Sequence, residues 1–314
     1  MVLHGRDLLG IEDLSRDEIS QILDVATAFK TDRERSVFAR SLDGKSLAMI
    51  FARVSTRTRV SFEVAMTHLG GHGLYLRPDE MQWHRGEEIR DTSRVLSRYV
   101  EGIVIRIAEH ELIVQLAEYA SIPVINAMTL REHPCQALAD LLTIREKKGR
   151  LAGIKLAYAA APYSVGNSLM FAAGKLGMDM RLAIPREFPP DEKIVNAAKD
   201  EASKTGGRIL VTENISEAVQ GADVVYSLGW GPAEIWTDAK YEKEREKRNK
   251  LFGSMRITSE LLEKSDKHVL FMHCLPAFRE REVADAVIEG PHSVVFDEAE
   301  NRLHVQKAIL TMLL

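Results

Sequence analysis

The cluster Ser55-Thr56-Arg57-Thr58-Arg59 follows the apolar run Ser46 to Phe51 and precedes a stretch in which Phe62, Ala65, Met66 and Leu69 recur at helical spacing. A strand running through such a cluster into a helix gathers hydroxyls, unpaired backbone N–H groups and a guanidinium at the positive helix end. That is the makeup of a phosphate-type anion site. Taken alone, the same residues also describe a serine N-cap followed by two solvent-facing arginines. Arg106 closes the apolar run Ile103-Val104-Ile105, an unusual place for a guanidinium that serves only as a surface ion pair. His133 opens the segment His133-Pro134-Cys135-Gln136 and reads either as a helix-start histidine or as a ligand. His273 and Cys274 adjoin, but no second pair has metal-ligand spacing and the chain holds only two cysteines, Cys135 and Cys274. Zinc is therefore not expected.

Taken together these segments resemble one family. Ser55-Thr56-Arg57-Thr58-Arg59 is similar to the carbamoyl phosphate signature of the aspartate and ornithine carbamoyltransferases. Four more segments resemble the ornithine branch in the same order. They are Asp91-Thr92-Ser93-Arg94-Val95-Leu96-Ser97-Arg98, His133-Pro134-Cys135-Gln136, His273-Cys274-Leu275-Pro276 and Phe296-Asp297-Glu298-Ala299-Glu300-Asn301-Arg302. The similarity spans nearly the whole chain.

Carried over position by position, the resemblance implies that Ser55, Thr56, Arg57 and Thr58 cradle the phosphate. Arg106 and His133 would reach the carbonyl oxygen, Gln136 the carbamoyl NH2, and Arg302 would help hold the carbamoyl group. Cys274 and Leu275 would position the incoming amine, with Cys274 no covalent nucleophile. Gln82, in Met81-Gln82-Trp83-His84-Arg85-Gly86, takes the place of a residue the family lends to the neighbouring subunit. This implies a homotrimer, or a multiple of trimers, with shared active sites. Elementary chemistry supports the roles, because attack on carbamoyl phosphate builds charge on the carbonyl oxygen while phosphate leaves as an anion, and fixed donors stabilise both. Arginine suits the task through its planar fork and permanent charge.

The acceptor segments depart from the pattern. Where ornithine-using members carry Gly-Asp-Gly-Asn-Asn-Val, this chain reads Ala160-Ala161-Pro162-Tyr163-Ser164-Val165, so Tyr163 and Ser164 replace both asparagines. The carboxylate that would pair with an α-ammonium becomes Leu228, within Tyr226-Ser227-Leu228-Gly229-Trp230-Gly231-Pro232. A buried ammonium lacking that partner faces a desolvation penalty of roughly several kcal/mol. Trp230-Gly231-Pro232 resembles atypical members whose acceptors are modified or unknown. Phe278 and Glu280 replace the usual His and Gly after Leu275-Pro276-Ala277. Glu234, Asp238 and Arg279 are the charged residues that could compensate.

The elements that must position these residues read as α/β throughout. Ser15 and Glu18 form a capping box ahead of Ile19, Ile22, Leu23, Ala26 and Phe29 on one helix face. Apolar runs at 46–51, 102–107, 122–126, 154–160, 180–184, 209–212 and 223–226 alternate with helical stretches, the rhythm of helix-covered parallel sheets. Helices are expected over 136–148, ending at Gly149, and over 168–176. Thr237 to Lys250 mixes charges with little apolar periodicity, as a solvated helix or mobile loop does.

With 314 residues, two domains are expected, since one domain commonly holds ~100–200. The expected architecture is two doubly wound parallel-sheet domains linked by interdomain helices. Residues 1–149, completed by a C-terminal helix at 301–314, would bind carbamoyl phosphate, and 150–300 would bind the amine or amino acid. Lys plus Arg number 42 against 46 Asp plus Glu, which opposes a broad grip on nucleic acid or anionic membrane. No signal-peptide pattern and no apolar run of ~18 residues are present, and the sparse cysteines fit a reducing compartment, so a soluble cytoplasmic protein is expected.

The expected activity is direct attack of a neutral primary amine on carbamoyl phosphate, with no cofactor, metal or covalent enzyme intermediate. Ornithine giving citrulline is the leading named reaction. The alternatives are another acceptor, such as putrescine or a modified or unusual amino acid, and a non-catalytic paralogue that binds carbamoyl phosphate. A dinucleotide oxidoreductase would need Gly-x-Gly-x-x-Gly after the first strand of a domain, and neither half has it.

Overall fold

The computed structural model describes residues 3–31 and 40–314. The chain divides into two compact units, residues 1–142 with 299–314, and residues 143–298. The first division falls inside the helix Pro134–Lys148 and the second inside the helix Val295–Leu313.

In the first unit, β1 (Ser46–Phe51), β2 (His72–Leu76), β3 (Gly102–Arg106) and β4 (Val124–Met128) form a parallel sheet in the order β2-β1-β3-β4. β1 is buried from Leu47 to Phe51, so it reads as an unbroken apolar run instead of an alternation. The predicted capping box forms, with Glu18 N–H donating to Ser15 Oγ at 3.2 Å and Ser15 N–H donating to the Glu18 carboxylate at 2.8 Å. β2 escaped the sequence reading because His72-Gly73-Leu74-Tyr75-Leu76 is a half-exposed edge strand with no apolar run.

In the second unit, β5 (Lys155–Ala159), β6 (Asp179–Ala183), β7 (Arg208–Thr212), β8 (Val224–Ser227) and β9 (Leu270–Met272) form a parallel sheet in the order β7-β6-β5-β8-β9. β9 was not foreseen, since three residues are too few for a periodicity. The charged segment is ordered as the helix Glu242–Phe252, and its arginines have specific partners. Arg248 Nη1 donates to the Trp230 carbonyl at 2.6 Å and Arg245 Nη1 to the Ile235 carbonyl at 3.2 Å. Among the described residues no helix is long and apolar enough to cross a membrane.

Both sheets are fully parallel, and each reverses its winding once, between β1 and β3 and between β5 and β8. The C-terminal ends of strands beside such a reversal form a crevice where open α/β sheets bind ligands.

Candidate active site

In the first unit the crevice receives Ser55 from the loop after β1 and Arg106 from the end of β3. Ser55 caps the helix Thr56–His68 in extended geometry, and its Oγ accepts the Thr58 N–H at 3.3 Å. Such a capped helix start is a favoured place for an anion. The register of β3 on β4 shifts between Ile105 and Arg106, so Ala127 is passed over and the end of β3 is re-aimed. The Ala52 N–H bonds to the Arg106 carbonyl at 2.9 Å and ties the ends of β1 and β3 together.

His133 comes from the loop after β4. This loop is fixed by Thr129 N–H to Glu132 O at 2.8 Å and by Asn126 Nδ2, which donates to Glu132 O at 3.2 Å and to Leu9 O at 2.7 Å. Arg302 arrives from the helix Val295–Leu313 and is 3 % exposed. Its Nη2 donates to Thr58 Oγ1 at 3.0 Å and its Nη1 to Gln136 Oε1, while Gln136 Nε2 donates to Asp140 at 2.8 Å. The amide of Gln136 is thereby oriented, because its oxygen faces a cation and its nitrogen a carboxylate.

Burial, and then the charges of Arg302, Arg106 and Arg57, hold His133 well below the usual 6.5. Three guanidiniums thus act on one buried imidazole, and the neutral ring can share a hydrogen bond with a carbonyl oxygen instead of adding charge. The folded state resists a proton that the unfolded chain takes up near pH 6.5, so the neutral ring's contribution to stability is complete above that pH and is lost as pH falls below it. The His133 ring resonances are expected not to titrate between pH 8 and 6.5 in the free protein, and to titrate at higher pH once a phosphate dianion is bound. A free-protein midpoint at or above 6.5 would contradict the guanidinium cluster.

Arg59 turns away from this group. It stacks on Tyr75 with 3.6 Å from Cζ to the ring centroid and pairs with Glu63 at 3.0 Å. It lines a cavity of about 890 Å³ that also touches Ser55, Thr56 and Arg77. Gln82 is exposed in the turn Gln82–Arg85, and its side chain makes no hydrogen bond among the described residues. Cys135 is buried, donates to the Asn126 carbonyl at 3.4 Å, and has its thiol pushed up to about 12 by burial, as an inert core group does.

In the second unit Ser164 follows β5 and Leu228 follows β8, the two strands that flank the reversal, and Cys274 follows β9, the strand beside β8. Three non-glycine residues here adopt left-handed backbone, Ser164 at φ 50, Leu275 at φ 55 and Glu280 at φ 64. Such strain persists where surrounding contacts impose it and gathers at ligand sites. Ser164 precedes the helix Val165–Leu176 without capping it, and its Oγ is buried with no partner among the described residues. Leu275 N–H donates to His273 Nδ1 at 2.9 Å, which places the ring proton on Nε2, facing Glu282 at 3.4 Å. Burial would raise the Glu282 carboxyl, but His273, the Phe278 N–H and Arg281 outweigh it and hold the group ionised below its usual range.

Tyr163 and Leu228 are half-buried beside these loops. Trp230 is 3 % exposed and stacks on Phe252 with centroids 5.9 Å apart, so its indole belongs to the core that supports the loop. Of the charged residues that could compensate for Leu228, Asp238 accepts from Lys240 N–H at 3.0 Å, and Arg279 is exposed and paired with Asp285 and Glu289. The side chain of Glu234 lies outside the described residues. Sequence reasoning missed Arg281, Trp236 and Arg248. Arg281 looked like one more charge in Arg279-Glu280-Arg281-Glu282, although its spacing from Phe278 and the adjacent Glu282 was a signal.

Two reversed parallel sheets, one with arginines gathered at its crevice and the other with three strained loop residues beside it, define a two-unit α/β protein. The family description "Aspartate/ornithine carbamoyltransferase, carbamoyl-P binding domain" matches residues 6–146, and its "Asp/Orn binding domain" counterpart matches 152–313. The chain belongs to the aspartate/ornithine carbamoyltransferase family. It is 48% identical over 312 residues to an ornithine carbamoyltransferase of Pyrococcus abyssi, covering 99% of this chain and 96% of that one. Identity is 47% over 310 residues with the Carboxydothermus hydrogenoformans ornithine carbamoyltransferase, covering 99% and 98%. The solved ornithine carbamoyltransferase of Pyrococcus furiosus superposes with a TM-score of 0.93 at 47% identity, covering 99% and 97%.

Proposed function

We propose that this protein transfers the carbamoyl group of carbamoyl phosphate to a primary amine, with ornithine to citrulline as the reaction that the names of its relatives favour. The observation that carries the reading is that Arg302 bonds to both Thr58 and Gln136, which ties the start of the helix Thr56–His68 to the buried segment His133-Pro134-Cys135-Gln136, while Arg57 and Arg106 act on the same imidazole.

In this reading Ser55, Thr56, Arg57 and Thr58 hold the phosphate. Arg106 and His133 donate to the carbonyl oxygen, while Gln136 and Arg302 fix the carbamoyl group. The neutral amine nitrogen attacks the carbamoyl carbon, the C–O bond to phosphate breaks, and the departing phosphate takes the amine proton. Charge develops on the carbonyl oxygen and on the leaving group, which this reading assigns to the guanidiniums and N–H groups, so preorganised electrostatics and positioning carry the rate. Cys274 and Leu275 orient the amine, in a loop held by the His273–Glu282 pair. Gln82 serves a neighbouring subunit in a trimer, a role that its exposure supports. A cytoplasmic location agrees with two free thiols.

A second reading, an acceptor other than ornithine, is favoured by one observation: Leu228 stands where an α-ammonium would need a carboxylate. The test is an acceptor screen with carbamoyl phosphate, scoring ureido product and phosphate for ornithine, putrescine, acylated ornithines, lysine and aspartate. Product from ornithine at the highest kcat/KM supports the first reading, and a higher value with another amine supports the second. Tight binding of carbamoyl phosphate with no ureido product from any amine would establish a non-catalytic binding protein instead.

A further inference from the structure

The loops of the second unit hold a cation that the proposed mechanism does not use. Arg281 stands over two aromatic rings, its Cζ 3.6 Å from the Trp236 centroid and 3.7 Å from that of Phe278. Its side chain is 16% exposed. Nε donates to Glu282 Oε2 at 3.0 Å, but Nη2 is buried and has no hydrogen-bond partner among the described residues. Glu282 cannot fully satisfy the fork, since its other oxygen accepts the Phe278 N–H at 2.7 Å and faces His273 Nε2.

The unsatisfied edge faces the loop after β8. A Cβ placed on Gly229 would stand 4.0 Å from Arg281 Nη2, so the guanidinium lies against the residue next to Leu228. The Tyr163 phenol also acts on its charge. Arg281 therefore stands among the acceptor loops, at the place where the anion expected for an α-ammonium is absent and a fixed cation is present. A buried N–H without an acceptor is costly, and the ligand that fits a planar two-toothed donor is a carboxylate. Contact with both rings removes the rotamer freedom that binding would otherwise consume.

We infer that Arg281 binds the carboxylate of the amine acceptor, so that the substrate class is an ω-amino carboxylate recognised by its anionic end. The inference rests on the carbamoyl-transfer reading and adds the feature by which the acceptor is chosen. A free α-ammonium is not required for recognition, and 5-aminovalerate serves as well as ornithine.

The test compares two matched pairs that differ only by a carboxylate, 5-aminovalerate with butylamine and ornithine with putrescine, in the full chain with carbamoyl phosphate. The wild type is expected to favour the carboxylate in each pair by roughly tenfold to a hundredfold in kcat/KM. Arg281→Met, which keeps an apolar stem against the rings, should collapse that preference, and Arg281→Lys should retain part of it. The ratio is read within one preparation, so a partly folded variant does not distort it. A wild-type ratio near one, or an undiminished ratio in Arg281→Met, overturns the assignment while leaving carbamoyl transfer intact. Absence of ureido product from all four amines overturns this assignment, and only the same absence across the whole acceptor screen overturns the transfer reading as well.

Discussion

Arg57→Ala is expected to weaken carbamoyl phosphate binding by roughly 10²- to 10³-fold, the loss of two charge-assisted hydrogen bonds of about 1.5–2 kcal/mol each. Arg57 occupies the first turn of the helix Thr56–His68, where the Ser55 cap and the end of β1 fix the backbone, and its charge reaches His133 together with those of Arg302 and Arg106. The variant removes a half-buried cation that is not among the buried core residues, so the fold should persist and calorimetry with carbamoyl phosphate is the direct measurement. Two controls sharpen the result. The His133 titration should move upward, because one of the three charges that hold it down is gone, and Arg59→Ala should change affinity far less, since Arg59 is engaged with Tyr75 and Glu63. Equal losses in the Arg57 and Arg59 variants would mean that the anion lies on the Tyr75 side of the loop and not beside His133.

The second large effect is a gain. Leu228→Asp restores a carboxylate at the end of β8, and kcat/KM for ornithine is expected to rise by roughly tenfold to a hundredfold relative to 5-aminovalerate, which has no α-ammonium to pair. A single added carboxylate rewards only the acceptor that carries the matching cation, so the ratio isolates the pairing from any change in folding or carbamoyl phosphate affinity. An unchanged ratio would show that residue 228 does not face the α-carbon of the acceptor. A fall in both activities would show that the new carboxylate has been captured by Arg281, whose Nη2 lies against Gly229.

How much was legible in the chain depended on the range of the interaction. The burial of β1, the capping box at Ser15 and the Ser55 cap are local, and each could be read from a few residues in a row. Glu280 shows the same locality in reverse: the family's glycine there marks a left-handed backbone, and this chain keeps φ 64 with a glutamate. The grouping of Arg57, Arg106, His133 and Arg302 spans some 245 positions and came from resemblance, with no local pattern able to supply it. β2 and β9 were lost because an edge strand and a three-residue strand carry no periodicity. Arg281 was lost because its meaning lies in Trp236 and Gly229, both far away along the chain, while its immediate neighbours present an ordinary run of charge.

The bond from Arg302 to Thr58 joins positions 244 apart, and the segment 299–314 is packed with residues 1–142. An isolated piece cut after the first sheet would therefore lack one of the guanidiniums around His133 and the helix that carries it. A circular permutant that splices residues 299–314 directly to the N-terminal segment is the smallest rearrangement in which this half could be studied as an autonomous receptor for its anion.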